Sequence, residues 1–408
     1  MTGDVVLPAG VAACFTPAQI EFLRALRSEL HAHPELSLEE HQTADRLERA
    51  LATIPGVAVS RVAGTGLIAR VAGRDRHAPV VAVRGDIDAL PIREETGLPF
   101  ASQNDGVMHA CGHDVHATWA VGAAQLLAAD PAAGDVLIVL QPAEEIGRGA
   151  LAILESGALD GVACIFGGHV DRRFEVGQVV ADAGPLAASA DTFTIELTGR
   201  GAHAARPHES ADPIVGAAAI VSALQTIVSR RLNPATPGVV TVGSIHAGTA
   251  PNVIPDRARL AGTVRAIEPE SRQLMLDEVR RLAESVAQSY RLDARVVLDM
   301  GTPPLINPAR GAAWARAAAT QVLGETAVVP LGFLNMGGED FAYYLERMDG
   351  CFLRIGAREP GGEVTAAHSP RFVPAEAAIF CGAAVLAACA RLASSGLTPA
   401  VERSGRSG

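Results

Sequence analysis

The chain has 408 residues, 34 basic against 45 acidic, giving a formal net charge of −11. Without a Lys/Arg-rich run, nucleic acid is excluded as a partner, and the length suits two domains rather than one simple core. The longest apolar stretches, 115–129 and 377–390, fall short of a membrane span, and the N-terminus lacks the basic start and apolar core of a signal peptide. The six cysteines are spaced too irregularly for a disulfide framework, so the cytoplasm is the expected compartment.

Thr16-Pro17-Ala18-Gln19 opens a first helix with capping-box spacing and proline at the first helical position, and Ile20, Leu23, Leu26 and Leu30 mark its buried face. Short apolar runs at 67–71, 80–83, 136–140 and 163–166 read as strands, separated by helical patterns at 115–129 and 149–156. Strands alternating with helices predict a mainly parallel sheet with both faces covered. After Gly184 the pattern changes. A strand at 191–197 alternates, Asp212-Pro213 caps a helix reaching about Arg231, strands follow at 239–245 and 257–266, and a helix spans 270–290. This β-α-β-β-α block reads as a smaller α+β domain over 185–300, inserted into an α/β catalytic domain made of 1–184 and 301–408. The last helix, 376–392, starts after Pro374, and the Ser404–Gly408 tail reads as disordered.

The chemistry concentrates in Met108-His109-Ala110-Cys111-Gly112-His113-Asp114-Val115-His116. Imidazole, thiolate and carboxylate are the donors that divalent transition metals take, and Cys111 and His113, one glycine apart, can converge on one centre. His109 and His116 read as polar supports or outer partners of the ligands. Other cysteines read as small buried hydrophobes. Glu144 and Glu145 follow the 136–140 strand; one can ligate while the other moves a proton. Asp86 and Asp88, two apart at the end of another strand, read as loop caps or as carboxylates that orient a metal-bound imidazole. His169 follows a third strand and His368 stands far downstream, so Cys111, His113, Glu145, His169 and His368 could together hold two metals.

These motifs resemble the M20-type metallopeptidases, specifically the amidohydrolase branch that includes indole-acetyl-amino-acid hydrolases, hippurate hydrolases and N-acyl-amino-acid aminoacylases. The resemblance spans almost the whole chain. It rests on the 84–91, 109–114 and 141–145 segments together with Gly199-Arg200-Gly201-Ala202-His203-Ala204-Ala205-Arg206-Pro207-His208, Gly248-Thr249-Ala250-Pro251-Asn252-Val253-Ile254-Pro255, Gly337-Gly338-Glu339-Asp340-Phe341 and His368-Ser369-Pro370. It implies that Cys111 bridges two divalent ions (Mn or Zn first, Co or Ni next), with His113, Glu145, His169 and His368 completing the ligand set. It implies Glu144 as general base and acid, and a dimerising inserted domain whose His203 donates to the oxyanion in a partner subunit's site. Asn252 and Arg265 resemble the positions that grip substrate, and Asp88 would orient a ligand. Glu339 and Asp340 read as substrate contacts or as caps of a helix at 341–346. One departure stands out: where the branch commonly has an aromatic or proline-containing turn after His169, this chain reads Val170-Asp171-Arg172-Arg173.

The expected activity is therefore hydrolysis of the amide of a small-molecule N-acyl-amino acid by a homodimer or tetramer, with no nucleic-acid or membrane partner. The alternatives are a dipeptidase or carboxypeptidase, a deacetylase of an N-acetyl-amino-acid intermediate, and a catalytically inactive ligand-binding relative.

Overall fold

The computed structural model describes residues 5–396, so the 404–408 tail lies outside the described residues. The chain divides into two compact units: residues up to Gly184 with Asn307–Gly332 and Tyr343 onwards, and Pro185–Ile306 with Phe333–Ala342. The first unit thus resumes at Asn307, and the segment carrying Glu339 and Asp340 groups with the second.

The first unit is α/β. Its seven-stranded sheet runs in the order Val57–Val62, Gly66–Val71, Val136–Gln141, Val80–Asp86, Val162–Glu175, Asp349–Arg358, Val179–Val180. The four strands from Val136–Gln141 to Asp349–Arg358 are mutually parallel, and the outer pairings are antiparallel. Val136–Gln141 is buried along its whole length, as a near-continuous apolar run in a sheet covered on both faces should be. The first helix, Pro17–Ala32, carries the predicted capping box: Gln19 N–H donates to Thr16 Oγ1 and Thr16 N–H to Gln19 Oε1.

The alanine-rich composition has a packing reason. A side chain at Gly382, in helix Ala377–Gly396, would meet the Trp119 ring of helix His113–Ala129 at 2.3 Å. The helices touch through small residues that admit one large ring. At 20 residues, Ala377–Gly396 is longer than the 377–390 run suggested, and with Pro213–Arg231 it is long and apolar enough to cross a bilayer. Its most apolar 18-residue stretch is instead 89% buried within the fold, which corrects the reading from length while explaining its hydropathy.

One further reading is extended and two elements are added. The strand expected at 163–166 runs on to Glu175 because Asp349–Arg358 pairs beside it, so His169 lies within a strand. Helix His41–Ala52 and strand Val57–Val62, unread in the sequence, complete the edge of this unit.

The second unit is α+β: an antiparallel sheet ordered Gly238–Ala247, Arg257–Ala266, Asp191–Thr198, Asp293–Asp299, with helices Pro213–Thr226 and Pro269–Ser289. Phe193, Ile195, Leu260, Val264, Ile220, Met275 and Val279 form its core. The β-α-β-β-α reading is corrected by the fourth strand, Asp293–Asp299. An edge strand has one neighbour to pack against; Ala294, Val296 and Leu298 are only half-buried and Val297 is exposed, which blurred its alternation.

Candidate metal centre

The site lies within the first unit, where strand ends and the loops after them converge. Helix His113–Ala129 sits tight on strand Val80–Asp86, since a Cβ at Gly85 would lie 2.4 Å from the His116 carbonyl oxygen. Gly112 turns the chain between Cys111 and His113 at φ 89°, and a Cβ there would meet Val170 Cγ2 at 2.6 Å. Only glycine satisfies both the left-handed backbone and the missing space. The Cys111 thiol consequently faces the third strand, 3.1 Å from His169 Nε2.

The glutamate turn is held from two sides. Ala143 (φ 54°) donates its N–H to Glu40 at 2.9 Å, and Glu145 N–H donates to Asp88 Oδ2 at 3.0 Å. Asp88 also accepts from Ser37 Oγ at 2.7 Å and faces His113 Nδ1 at 3.0 Å. Because a carboxylate only accepts, His113 carries its proton on Nδ1 and turns Nε2 inward. His368 arrives from the far end of the chain at φ 66°, its N–H bonded to the Ala110 carbonyl at 2.8 Å, and its Nε2 stands 3.5 Å from Glu145 Oε2.

Donor atoms gather into overlapping trios, each with all atoms within 4.8 Å of one another: Cys111, His113 and His169; Cys111, Glu145 and His368; His113, Glu144 and Glu145. The first two share the Cys111 thiol. His113 Nε2 and Glu145 Oε1 are buried with no hydrogen-bond partner among the described residues. Two orphaned buried electron-pair donors beside a soft thiol fit a borderline divalent cation.

Electrostatics point the same way. Burial and the neighbouring Glu145 push the Cys111 thiol well above its ordinary range. Burial similarly raises Glu145 to about 7. Burial works against charge on His113, but Asp86, Asp88 and Cys111 outweigh it and hold its pKa high. In this arrangement a proton balances the clustered acids, and a bound cation would take over that charge and draw the thiol to thiolate.

Asp86, the last residue of its strand, faces His116 Nδ1 at 2.6 Å rather than lining up with Asp88. His109 is buried with neither ring nitrogen hydrogen-bonded among the described residues, and burial drops its pKa to about 4. Asp114 accepts from Arg27 Nε at 2.8 Å and faces His31 Nδ1 at 2.9 Å, and His31 Nε2 faces Glu94 at 3.2 Å. Glu40, Ser37, Arg27 and His31 escaped the sequence reading. Their partners lie far along the chain, and no spacing links them.

In the charged segment after His169, Asp171 pairs with Arg173, while Arg172 donates to the carbonyls of Val373 and Glu363. Arg172 thereby braces the loop that carries His368.

In the second unit, short strands Ala202–His203 and Val253–Ile254 pair, with Val253 opposite His203, and Ala204 N–H bonds the Asn252 carbonyl at 3.0 Å. Two sequence motifs thus bring His203 and Asn252 together, both exposed. Arg265 lies half-buried on strand Arg257–Ala266, where a Cβ at Gly338 would come within 3.7 Å of its guanidinium. Glu339 Oε1 accepts the Phe341 N–H at 3.1 Å, just before the short helix Ala342–Leu345.

Comparison with known proteins gives the family. Residues 82–392 match Peptidase family M20/M25/M40. The chain is 42% identical over 337 residues to an N-acetyl-L-cysteine deacetylase of Bacillus subtilis, covering 82% of this chain and 80% of that protein. It is also 42% identical over 358 residues to an N-acetylcysteine deacetylase of the same organism, covering 87% and 92%. Among solved structures, a Bacillus subtilis protein described as a dinuclear metal binding peptidase from the M20 family superposes with a TM-score of 0.82 at 36% identity, covering 93% of this chain and 99% of that one. Fold and sequence therefore agree, and the chain belongs to the M20/M25/M40 peptidase family of hydrolases.

Proposed function

We propose that this chain is a dinuclear metal-dependent amidohydrolase that removes a small acyl group from an N-acyl-amino acid, releasing a carboxylate and the free amino acid. The observation that carries the reading is the pair of donor trios with Cys111 in both. Cys111, His113, Glu145, His169 and His368 would hold the two ions, with Zn or Mn favoured and Co or Ni next. Bound there, the ions supply Lewis acidity that polarises the amide carbonyl and acidifies water.

Glu144 is left for proton transfer. Its Oε2 lies 3.9 Å from His113 Nε2, and it shares a donor trio with His113 and Glu145. Its carboxylate takes a proton from the attacking water and delivers it to the departing amine nitrogen. Asp88 holds the His113 ring and the Glu145 backbone at once, so one carboxylate orients both donors. His203 is assigned the hydrogen bond to the oxyanion in a second copy's site. Asn252 and Arg265 are assigned the grip on substrate, Arg265 pairing with the free carboxylate of the amino-acid half.

The names of the two Bacillus relatives support acetyl as the first acyl group to test. A homodimer through the second unit is supported by Ile214, Val215 and Val228 exposed along one helical run and by Ile245 exposed on the edge strand. The cytoplasm, where thiols stay reduced, is the compartment we favour, since no disulfide forms among the described residues.

The test is amino-acid release from N-acetyl-cysteine, N-acetyl-methionine, N-benzoyl-glycine, indole-acetyl-amino acids and dipeptides, with Mn- and Zn-loaded protein beside Glu144→Gln. Turnover lost in the variant supports the amidohydrolase and ranks the acyl groups. Release from dipeptides alone would move the reading to a dipeptidase, and two bound metals without turnover on any substrate would sink it.

A further inference from the structure

His116 is the one imidazole of the 108–116 cluster whose two ring nitrogens are both engaged without reaching the donor trios. On one side Asp86 Oδ1 lies 2.6 Å from its Nδ1. On the other, its Nε2 receives the Val170 N–H at 3.0 Å. A backbone N–H can only donate, so His116 Nε2 must be the acceptor and Nδ1 must carry the proton, which goes to Asp86. Its lone pair is therefore spent on Val170. Although Asp86, His113 and His116 lie close enough to suggest a cation site, His116 has no electron pair left to give one.

The same reasoning continues one residue back. The Val170 carbonyl can only accept, and His169 Nδ1 lies 2.7 Å from it, so His169 also carries its proton on Nδ1. That leaves the His169 Nε2 lone pair directed toward Cys111, 3.1 Å away. Val170 is thus held at both ends, by His116 at its N–H and by His169 at its C=O. The ladder to strand Val80–Asp86 stops at the Val83–Phe166 pair, and farther along, the Val170 N–H finds His116 instead.

We propose that His116 is a positioning residue for the metal ligand His169. Through the Val170 backbone it fixes the place and tautomer of the His169 ring, while Asp86 fixes the tautomer of His116. Three features keep the His116 ring still. It stacks on Trp119 with centroids 4.4 Å apart and planes at 22°. Its helix is seated on Gly85, where no side chain fits. Asp86 is itself gripped from the opposite side by the Arg84 guanidinium, whose Nε bonds Gln141 at 2.9 Å. Outer partners of metal-bound imidazoles typically change metal affinity by about 10–100-fold when removed.

The proposal rests on the metal-centre reading above, and wild-type protein stripped with chelator and titrated with Zn2+ or Co2+ separates the two. If wild type binds no metal, both fail; if wild type and variant bind alike, only the positioning role fails. His116→Phe keeps a ring on Trp119 but can neither accept from Val170 nor donate to Asp86. His116→Gln can still offer an oxygen to the Val170 N–H. The expected result is that one of two metal equivalents binds about 10–100-fold more weakly in His116→Phe, with a shifted visible band in the Co2+ form, and that His116→Gln regains most of that affinity. Unchanged affinity in His116→Phe, or equal losses in both variants, would overturn the proposal. Should His116→Phe not fold, long-range 1H–15N correlation on the metal-free wild type decides alone. Nδ1–H on His116 and His169 upholds the relay, and Nε2–H on His116 refutes it.

Discussion

The two units treat their motif residues in opposite ways. In the first, His113, Cys111 and the carboxylates behind them are buried and fixed by hydrogen bonds to backbone and neighbouring acids. In the second, His203 stands exposed on a short strand pair and Asn252 just before it, held mainly by their own backbone. A metal centre needs donors held in place before the ion arrives, because ordering them afterwards would cost binding energy. Groups that meet a substrate or a second copy need access, and their precision is completed on contact. Burial thus follows task for these residues, while the donor His368 stays exposed and is placed by its backbone bond to Ala110.

That contrast can be broken by substitution. Glu144→Gln should lower kcat by about 10²–10⁴-fold while leaving two metals bound, measured by turnover beside metal analysis. His203→Ala should lower kcat by roughly 10²–10³-fold with an unchanged melting temperature, since the side chain is exposed; an equal loss of stability would contradict the division drawn here. Gly112→Ala should act on stability, costing about 2–4 kcal/mol in denaturant unfolding, from left-handed strain together with the clash against Val170.

The smallest effect concerns the buried His31. Burial disfavours its charge, but Asp114 and Glu94 more than compensate and raise its pKa to about 9. A pKa raised on folding stabilises the protonated protein, so this contribution is whole below about pH 6.5 and fades as pH climbs through 9. The expected loss over that window is about 2–3 kcal/mol, and His31→Gln should flatten it in a series of melts at increasing pH. A wild-type profile as flat as the variant's would show that the ion pairs contribute nothing net.

Much of the first unit was legible because strand ends announce themselves: apolar runs at 80–83 and 136–140 are followed by Asp86 and Glu144-Glu145, and the local spacing of Cys111 and His113 needs no knowledge of the fold. What stayed hidden depends on contacts between distant segments. Glu40 reaches Ala143, and Ser37 reaches Asp88, with nothing in either local pattern to connect them. The strand through His169 was read too short because its second half is apolar only in part and is kept extended by Asp349–Arg358. Strand Asp293–Asp299 was missed because an edge strand writes a weak alternation. The outer helix-bound partners of the centre, Arg27 and His31, carry no metal signature of their own.

The two trios also differ in when the chain can complete them. Cys111, His113 and His169 all lie in the first half of the sequence, whereas the trio with Glu145 waits for His368, near the last helix. A chain leaving the ribosome N-terminus first therefore holds every donor of one trio long before the other exists. At that stage strand Val162–Glu175 still lacks the neighbour Asp349–Arg358 that will cover its edge. Any early ion would meet a half-built site in a half-built sheet, so closure of that sheet and completion of the second trio belong to the same late event in synthesis.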